Sequence, residues 1–134
     1  MRCLRNKIWV LVASIFLLGC THYIKDAEEL SGLNLKGKVK FEKKKEYWDN
    51  WQGNGFRALV YNITDINYFN SHKNDKGAQE FDFSDKNNPF ANSIITEFIN
   101  NGKGYYYSLD SKQKETALVV DLKNRKMVYY YIFM

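Results

Sequence analysis

The last thirty residues of the chain constrain its fold most, because they contain three strand-like segments joined by very short connections. These segments are Tyr105–Asp110, Thr116–Leu122 and Met127–Met134, with five and four residues between them. Such short connections join antiparallel strands, since a parallel crossover needs a dozen residues or more. The final segment is apolar on both faces, which favours an interior position in a sheet. The C-terminal part of the chain therefore predicts an antiparallel meander.

Two further strands are predicted earlier in the chain. Residues 35–42 alternate apolar and polar side chains with a period of two, and Phe56–Thr64 is apolar on both faces. An Asn-Gly pair at 54–55 favours a tight turn between the two segments, because both residues tolerate positive φ. Together the segments predict a β-hairpin whose second strand lies inside the sheet.

The clearest helix signal spans residues 88–102. Asn88 is a favourable N-cap, and Pro89 fits the first helical position, where its missing N–H costs nothing. Apolar residues at helical spacing form one stripe along the segment, and Gly102 favours a C-terminal end. We expect an amphipathic helix that packs on an apolar surface.

Residues 65–88 carry no sustained period. They predict one helical turn at Asp65–Asn70 and a short edge strand at Gln79–Ser84. The main element order is therefore ββ-α-βββ, and the predicted class is α+β, with a curved antiparallel sheet of about five strands packed on one amphipathic helix. A small β-barrel is the alternative. The length suits a single globular domain, which we place at residues 35–134.

The first nineteen residues have the pattern of a secretion signal. Basic residues precede a run of eleven residues, Ile8–Leu18, that is apolar apart from Ser14. This run is too short to cross a bilayer as a helix but suits a signal peptide. The sequence Leu17-Leu18-Gly19-Cys20 then resembles the lipobox of bacterial lipoproteins. This resemblance implies cleavage of residues 1–19 by a type II signal peptidase and attachment of lipid to the Cys20 thiol.

The same resemblance implies a place in the cell envelope, although it covers the leader alone. Residues 20–34 are the expected lipidated tether, and Thr21 favours the outer membrane, facing the periplasm, in a Gram-negative host. Of the 20 basic residues three leave with the leader, so 17 remain against 15 acidic residues, a net charge of +2. This weak charge argues against nucleic-acid binding.

Few side chains in the processed chain have the chemistry of a catalytic or metal site. Its two histidines, His22 and His72, lie in the tether and in a polar loop, whereas a zinc site needs four ligands. No Gly-x-Ser-x-Gly motif marks a nucleophile. The close carboxylate pairs Glu28–Glu29 and Asp82–Asp85 have no strongly predicted element to fix them. We expect no enzymatic activity, no metal and no cofactor.

An aromatic cluster surrounds the predicted hairpin turn. Its members, Tyr47, Trp48, Trp51 and Phe56, are candidate partner-binding residues, since tyrosine and tryptophan are enriched in binding hot spots. The alternative is packing beneath the hairpin. The leading hypothesis is a protein-binding module of the inhibitor, immunity or exclusion type that meets a protein partner in the envelope.

A lysine stripe gives a second candidate surface. Lys36, Lys38 and Lys40 share one face of the predicted strand, where they could contact anionic lipid headgroups or glycan. The alternative is a solvated edge strand that its lysines protect from aggregation. The second hypothesis is therefore a structural or assembly lipoprotein of the envelope that contacts lipid or cell-wall glycan.

Overall fold

A computed structural model describes residues 24–48, 55–90 and 96–133 of the chain. These residues form an open antiparallel sheet of six strands with three short helices, which confirms the α+β class. The strands are β1 (Val39–Trp48), β2 (Gly55–Ile63), β3 (Gln79–Asp82), β4 (Lys103–Asp110), β5 (Lys114–Asp121) and β6 (Lys126–Phe133). The helices are α1 (residues 24–31), α2 (Ile66–Ser71) and α3 (Thr96–Ile99).

The strands lie in the order β1-β2-β6-β5-β4-β3, so β1 and β3 form the two edges. The predicted meander β4-β5-β6 is present, and β6 lies between β5 and β2 in the interior of the sheet. The predicted number of five strands is wrong, because Gln79–Asp82 pairs with β4 as a sixth strand. The alternative of a closed barrel is also wrong, because the sheet is open.

Strand β1 begins and ends later than the predicted 35–42. The segment before it is a turn in which the Lys38 N–H donates to the Leu35 carbonyl at 3.0 Å, and Gly37 adopts a φ of 75°. Beyond Glu42 the register with β2 shifts by one residue, which marks a β-bulge, and the strand then continues to its end with every residue exposed. An edge strand exposed on both faces has no alternating pattern, so its second half could not be recognised.

The helix predicted over 88–102 is much shorter where the structure describes it. Asn88 begins a turn in which its side-chain oxygen accepts the Phe90 N–H at 2.8 Å, and helix α3 ends at Ile99. Residues 91–95 lie outside the described residues. None of the helices in the described part of the chain combines the length and apolar character needed to cross a membrane.

The sheet has two apolar faces, and each has its own cover. Face A is the side on which α1, α2 and the segment between α1 and β1 pack, and face B is the side on which Phe90 and α3 pack. The core of face A includes Leu59, Tyr61, Tyr105, Leu118, Met127 and Tyr129 under Ala27, Leu33, Leu35 and Phe69. The core of face B includes Ala58, Val60, Val119, Val128 and Tyr130 under Phe90 and Ile99. A single helix could not cover both faces, so the predicted packing on one helix is wrong.

Part of the segment assigned to the tether belongs to the folded domain. Residues 24–34 include α1, in which Ala27 is fully buried, and Leu33 is buried just beyond it. The Glu28 carboxylate accepts the Leu35 N–H at 2.8 Å and so holds the end of α1 against the start of the sheet. The domain therefore includes residues from 24 onward, whereas the leader, Cys20 and the first part of the tether lie outside the described residues.

One buried carboxylate fixes the end of the sheet where β5 turns into β6. Asp121 is fully buried. It accepts hydrogen bonds from the Lys103 N–H at 3.3 Å and from the N–H and side-chain amide of Asn124 at 3.0 and 2.8 Å. A Cβ at Gly102 would lie 2.5 Å from this carboxylate, so glycine leaves room for the contact. These bonds tie the β5–β6 turn to the start of β4.

Candidate functional site

The structure separates the predicted aromatic cluster. Tyr47 and Trp48 are neighbours in β1 and point to opposite faces: Tyr47 lies opposite Phe56 on face B, and Trp48 lies opposite Gly55 on face A. Tyr47 is 66% exposed and Trp48 38%, whereas Phe56 is buried in the core of face B. Trp51 lies outside the described residues. Exposed aromatic rings therefore occur on both faces of β1 rather than in one patch.

The predicted lysine stripe does not form one strand face. Of the three lysines, Lys36 is exposed in the turn before β1, and Lys40 is the one that lies exposed within the strand. The Lys38 ammonium lies 3.1 Å from an Asp65 carboxylate oxygen and 4.9 Å from the centre of the Tyr68 ring. The hydrogen bond from Lys38 lowers the pKa of Asp65 below its ordinary value. Lys38 therefore has a structural role at the start of the sheet.

On face A, a row of aromatic rings leads from the core to the edge strand. The Trp48 ring lies 5.8 Å from the Phe133 ring, and Phe133 lies 5.4 Å from Tyr131. The position opposite Trp48 is Gly55, where a Cβ would overlap the indole ring. The absence of a side chain at Gly55 thus allows Trp48 to lie across β2 and reach β6.

Two cations lie over these rings. The Arg57 guanidinium carbon is 5.7 Å from the centres of both the Trp48 and the Tyr131 rings. The Lys114 ammonium is 4.7 Å from the Tyr131 ring and 5.3 Å from the Phe133 ring. These distances are within the range of cation–π attraction. Aromatic and cationic groups therefore form one connected surface across β1, β2, β6 and β5.

A single carboxylate holds this surface in place. Glu46 accepts hydrogen bonds from the Arg57 side chain at 2.7 Å and from the Trp48 indole N–H at 3.3 Å. Partial burial by itself would raise the pKa of Glu46, but the hydrogen bonds from Arg57 and Trp48 outweigh it, so the pKa lies below its ordinary value. Glu46 is consequently ionised at neutral pH and neutralised locally by Arg57.

We call this surface the open end of face A. It consists of Trp48, Arg57, Leu109, Lys114, Tyr131 and Phe133. Strand pairing places Trp48, Phe133 and Lys114 in one cross-strand row and Arg57, Tyr131 and Leu109 in the next. From β1 to β4 these rows cross four inter-strand spacings, which is about 19 Å. Leu109 is 64% exposed, so apolar surface is available at both sides of the open end.

Of the residues of the open end, Trp48 alone was a candidate binding residue from the sequence. Leu109 carried a local signal, because it continues the alternation of Tyr105 and Tyr107 on one face of β4. The contributions of Arg57 and Lys114 could not be found in this way, since they depend on which strands are neighbours in the sheet.

The other chemically interesting side chains serve local structure. His72 Nδ1 lies 2.5 Å from an Asp75 carboxylate oxygen in the loop after α2. Asp82 accepts hydrogen bonds from the Ser84 hydroxyl and N–H, which lower its pKa, and it lines an open hollow of about 810 Å³ with Asp85. Within residues 24–48, 55–90 and 96–133, no group of three or more His, Cys, Asp or Glu could hold a metal ion.

The open end has the chemistry of a recognition surface, because it offers aromatic rings, an exposed leucine and cations already held in position. The carboxylate beside it, Glu46, accepts the hydrogen bonds that hold Arg57 and Trp48. Comparison of the chain with protein-family models, with curated proteins and with solved structures finds no match.

Proposed function

We propose that this chain is a small envelope lipoprotein, anchored through lipid on Cys20, that acts by binding a protein partner. Its mode of action would be that of an inhibitor, immunity or exclusion factor. The observation that carries this proposal is edge strand β1, in which all seven residues of Glu42–Trp48 are exposed and Tyr47 is 66% exposed. An exposed tyrosine on an outer strand is a favourable anchor for a partner.

The exposed strand is held in a defined position. On face B, Lys45 forms an ion pair with Glu97 of α3 at 2.5 Å, and the Lys43 ammonium lies 5.6 Å from the Phe98 ring. These contacts join the outer half of β1 to α3 and restrict its movement. A surface that is ordered before binding loses less conformational entropy when a partner docks, which supports a role in recognition.

The carboxylates that are most firmly held serve the fold, which favours binding over catalysis. Glu42 accepts a hydrogen bond from the Lys126 ammonium, which lowers its pKa. Asp65 caps α2 by accepting the Tyr68 N–H at 3.2 Å. Asp121 is saturated by the bonds that close the β5–β6 turn. Each of these groups is committed to a structural contact.

The test is photocrosslinking in living cells of the native host with the full chain. A photoreactive amino acid replaces Tyr47, and in a matched control it replaces Glu80, which is exposed on the opposite edge strand β3. We expect one discrete crosslinked protein from position 47 and none from position 80. The absence of a product at 47, or identical products at both positions, would contradict the proposal.

Once that protein is identified, affinity measurements sharpen the test. Tyr47→Ala should weaken binding by about 2 kcal/mol or more, roughly thirtyfold, with an unchanged melting temperature. Tyr47→Phe retains the ring and should lose much less. Mass spectrometry of the amino terminus tests the anchor separately, since it should find Cys20 as the first residue with acyl chains attached.

A further inference from the structure

We propose that the open end of face A rests on the membrane surface, so that Trp48 and Leu109 point toward the lipid while Tyr47 stays free for a partner. This inference rests on the proposed anchoring through Cys20. The two neighbouring aromatic residues of β1 then have different roles: Trp48 contacts lipid on face A, and Tyr47 contacts the partner on face B.

The first argument is the length of chain between the anchor and the domain. The described domain starts with residue 24, only four residues after Cys20. A fully extended chain spans at most about 3.6 Å per residue, so the start of α1 can lie no more than roughly 14 Å from the lipidated residue. The domain must therefore touch or nearly touch the membrane, and the surface beside the start of α1 is the surface that faces it.

The second argument is the direction of α1. Its C-terminal end leads through Leu35 and a turn to Val39, at the end of the sheet opposite the open end. Burial raises the pKa of Tyr129, the nearby carboxylates of Asp26 and Glu29 add to the rise, Asp26 more than Glu29, and together these effects bring the pKa to about 12. The row of Tyr129 adjoins the row of Tyr131, which belongs to the open end. Helix α1 therefore comes nearer to the open end from its last residue toward its first.

The third argument is the distribution of chemistry between the two faces. Trp together with Lys and Arg is the combination enriched at membrane–water interfaces, where the ring lies at headgroup level and the cations meet phosphate. At this end of the sheet, the positive charges of Lys44, Arg57 and Lys114 on face A outnumber Glu46 by two. On face B, Lys43 and Lys45 are outnumbered by one by Glu97, Asp110 and Glu115. An anionic surface would therefore attract face A and repel face B.

Tryptophan fluorescence provides the test. The full chain, lipidated in cells, is purified and reconstituted into vesicles of phosphatidylethanolamine and phosphatidylglycerol with brominated acyl chains. Trp51→Phe leaves Trp48 as the one tryptophan after residue 19. The matched control combines Tyr47→Trp, Trp48→Phe and Trp51→Phe, which moves the fluorophore by one residue to the opposite face. We expect several-fold stronger quenching at position 48 than at position 47.

Charge substitutions give an independent measurement. Lys114→Gln should reduce the ratio of docked to undocked domain about fivefold, because one Lys near an anionic surface is worth about 1 kcal/mol. Lys123→Gln removes the same charge from the β5–β6 turn at the other end of the sheet, and it should leave the quenching of Trp48 unchanged. On vesicles of phosphatidylcholine alone, which carry no net charge, the difference in docking between the wild-type protein and Lys114→Gln should become smaller.

The outcomes separate the two proposals. If the protein fails to float with vesicles, the lipid anchor is wrong and this inference falls with it. If the protein floats but Trp48 is unquenched, or if positions 47 and 48 are quenched equally, the orientation is overturned while the anchored binding function stands. If Lys123→Gln has the same effect as Lys114→Gln, the contact is not made by the open end.

Discussion

The two ends of face A contain the same types of residue but differ in what lies over them. At the covered end, beneath α1 and α2, the rings of Tyr105, Tyr107 and Tyr129 are at most 4% exposed. At the open end, Trp48 and Leu109 remain exposed although they lie on the same face of the sheet, in the next cross-strand rows. Aromatic content alone therefore does not distinguish the covered rings from the exposed rings of this sheet. The position of the covering helices decides which role a ring has.

The largest expected effect comes from the covered end. Phe69 is fully buried and is the one buried residue of α2. Phe69→Ala should lower the free energy of unfolding by about 4 kcal/mol, because it removes a core ring and leaves a cavity. Trp48→Ala at the open end is the control and should cost only about 1 kcal/mol, the scale of a partly exposed cation–π contact. Equal losses in urea denaturation would show that the two ends do not differ in this way.

Alkaline pH should act on the covered end next. Burial raises the pKa of Tyr107 and of Tyr129 to about 12 from an ordinary value of 10.0. In the unfolded chain these tyrosines ionise near pH 10, whereas in the folded protein they remain neutral until about pH 12. The stabilisation that comes from keeping these tyrosines neutral is therefore fully present below pH 10, and it is lost as the pH rises from about 10 to about 12.

The urea midpoint should accordingly decrease between neutral pH and a pH of about 11. The double substitution Tyr107→Phe and Tyr129→Phe removes two of the ionising groups and should make this decrease shallower. Tyr105 and Tyr130, whose pKa burial also raises, account for the remainder. A midpoint that is independent of pH in the wild-type protein would contradict the assignment of these rings to a well-covered core.

The smallest expected effect distinguishes two tyrosines within the covered end. The Tyr105 hydroxyl donates to the Phe69 carbonyl at 2.7 Å, whereas the buried Tyr107 hydroxyl has no hydrogen-bond partner within the described part of the chain. Tyr105→Phe should therefore lower stability by about 1 kcal/mol, and Tyr107→Phe should raise it by about 1 kcal/mol. Melting temperatures of the two variants should move in opposite directions, and a shift of the same sign would show that the Tyr107 hydroxyl is satisfied.

Much of the sheet could be predicted from the sequence, because the interior strands carry their own signal. Segments that are apolar on both faces, such as Phe56–Thr64 and Met127–Met134, correspond to the central strands β2 and β6. The outer half of β1 could not be predicted, since an exposed edge strand accepts lysine on either face. The helical spacing over 88–102 was misleading because Phe90 lies in a turn and packs against Phe81 and Tyr106.

The candidate site was less predictable than the fold. Strand alternation alone places Tyr47 and Trp48 on opposite faces, so their separation follows once β1 is known to extend that far. The association of Trp48 with Phe133 and Lys114 depends on the order β1-β2-β6-β5, which brings together residues far apart in the chain. No local sequence pattern specifies that strand order, because it depends on how all the strands pack together against the elements that cover the two faces.

The bulge at Glu42 determines on which face of the sheet the side chains of Tyr47 and Trp48 lie. Before the bulge, the odd-numbered Phe41 lies on face A, and after it the even-numbered Trp48 does. A regular strand of the same sequence without the bulge would pair Tyr47 with Gly55 and so exchange the faces of Tyr47 and Trp48. The ion pair of Glu42 with Lys126 stabilises this bulge and with it the faces on which Tyr47 and Trp48 lie. The face on which the indole ring of Trp48 lies therefore depends on one residue that has no counterpart in β2.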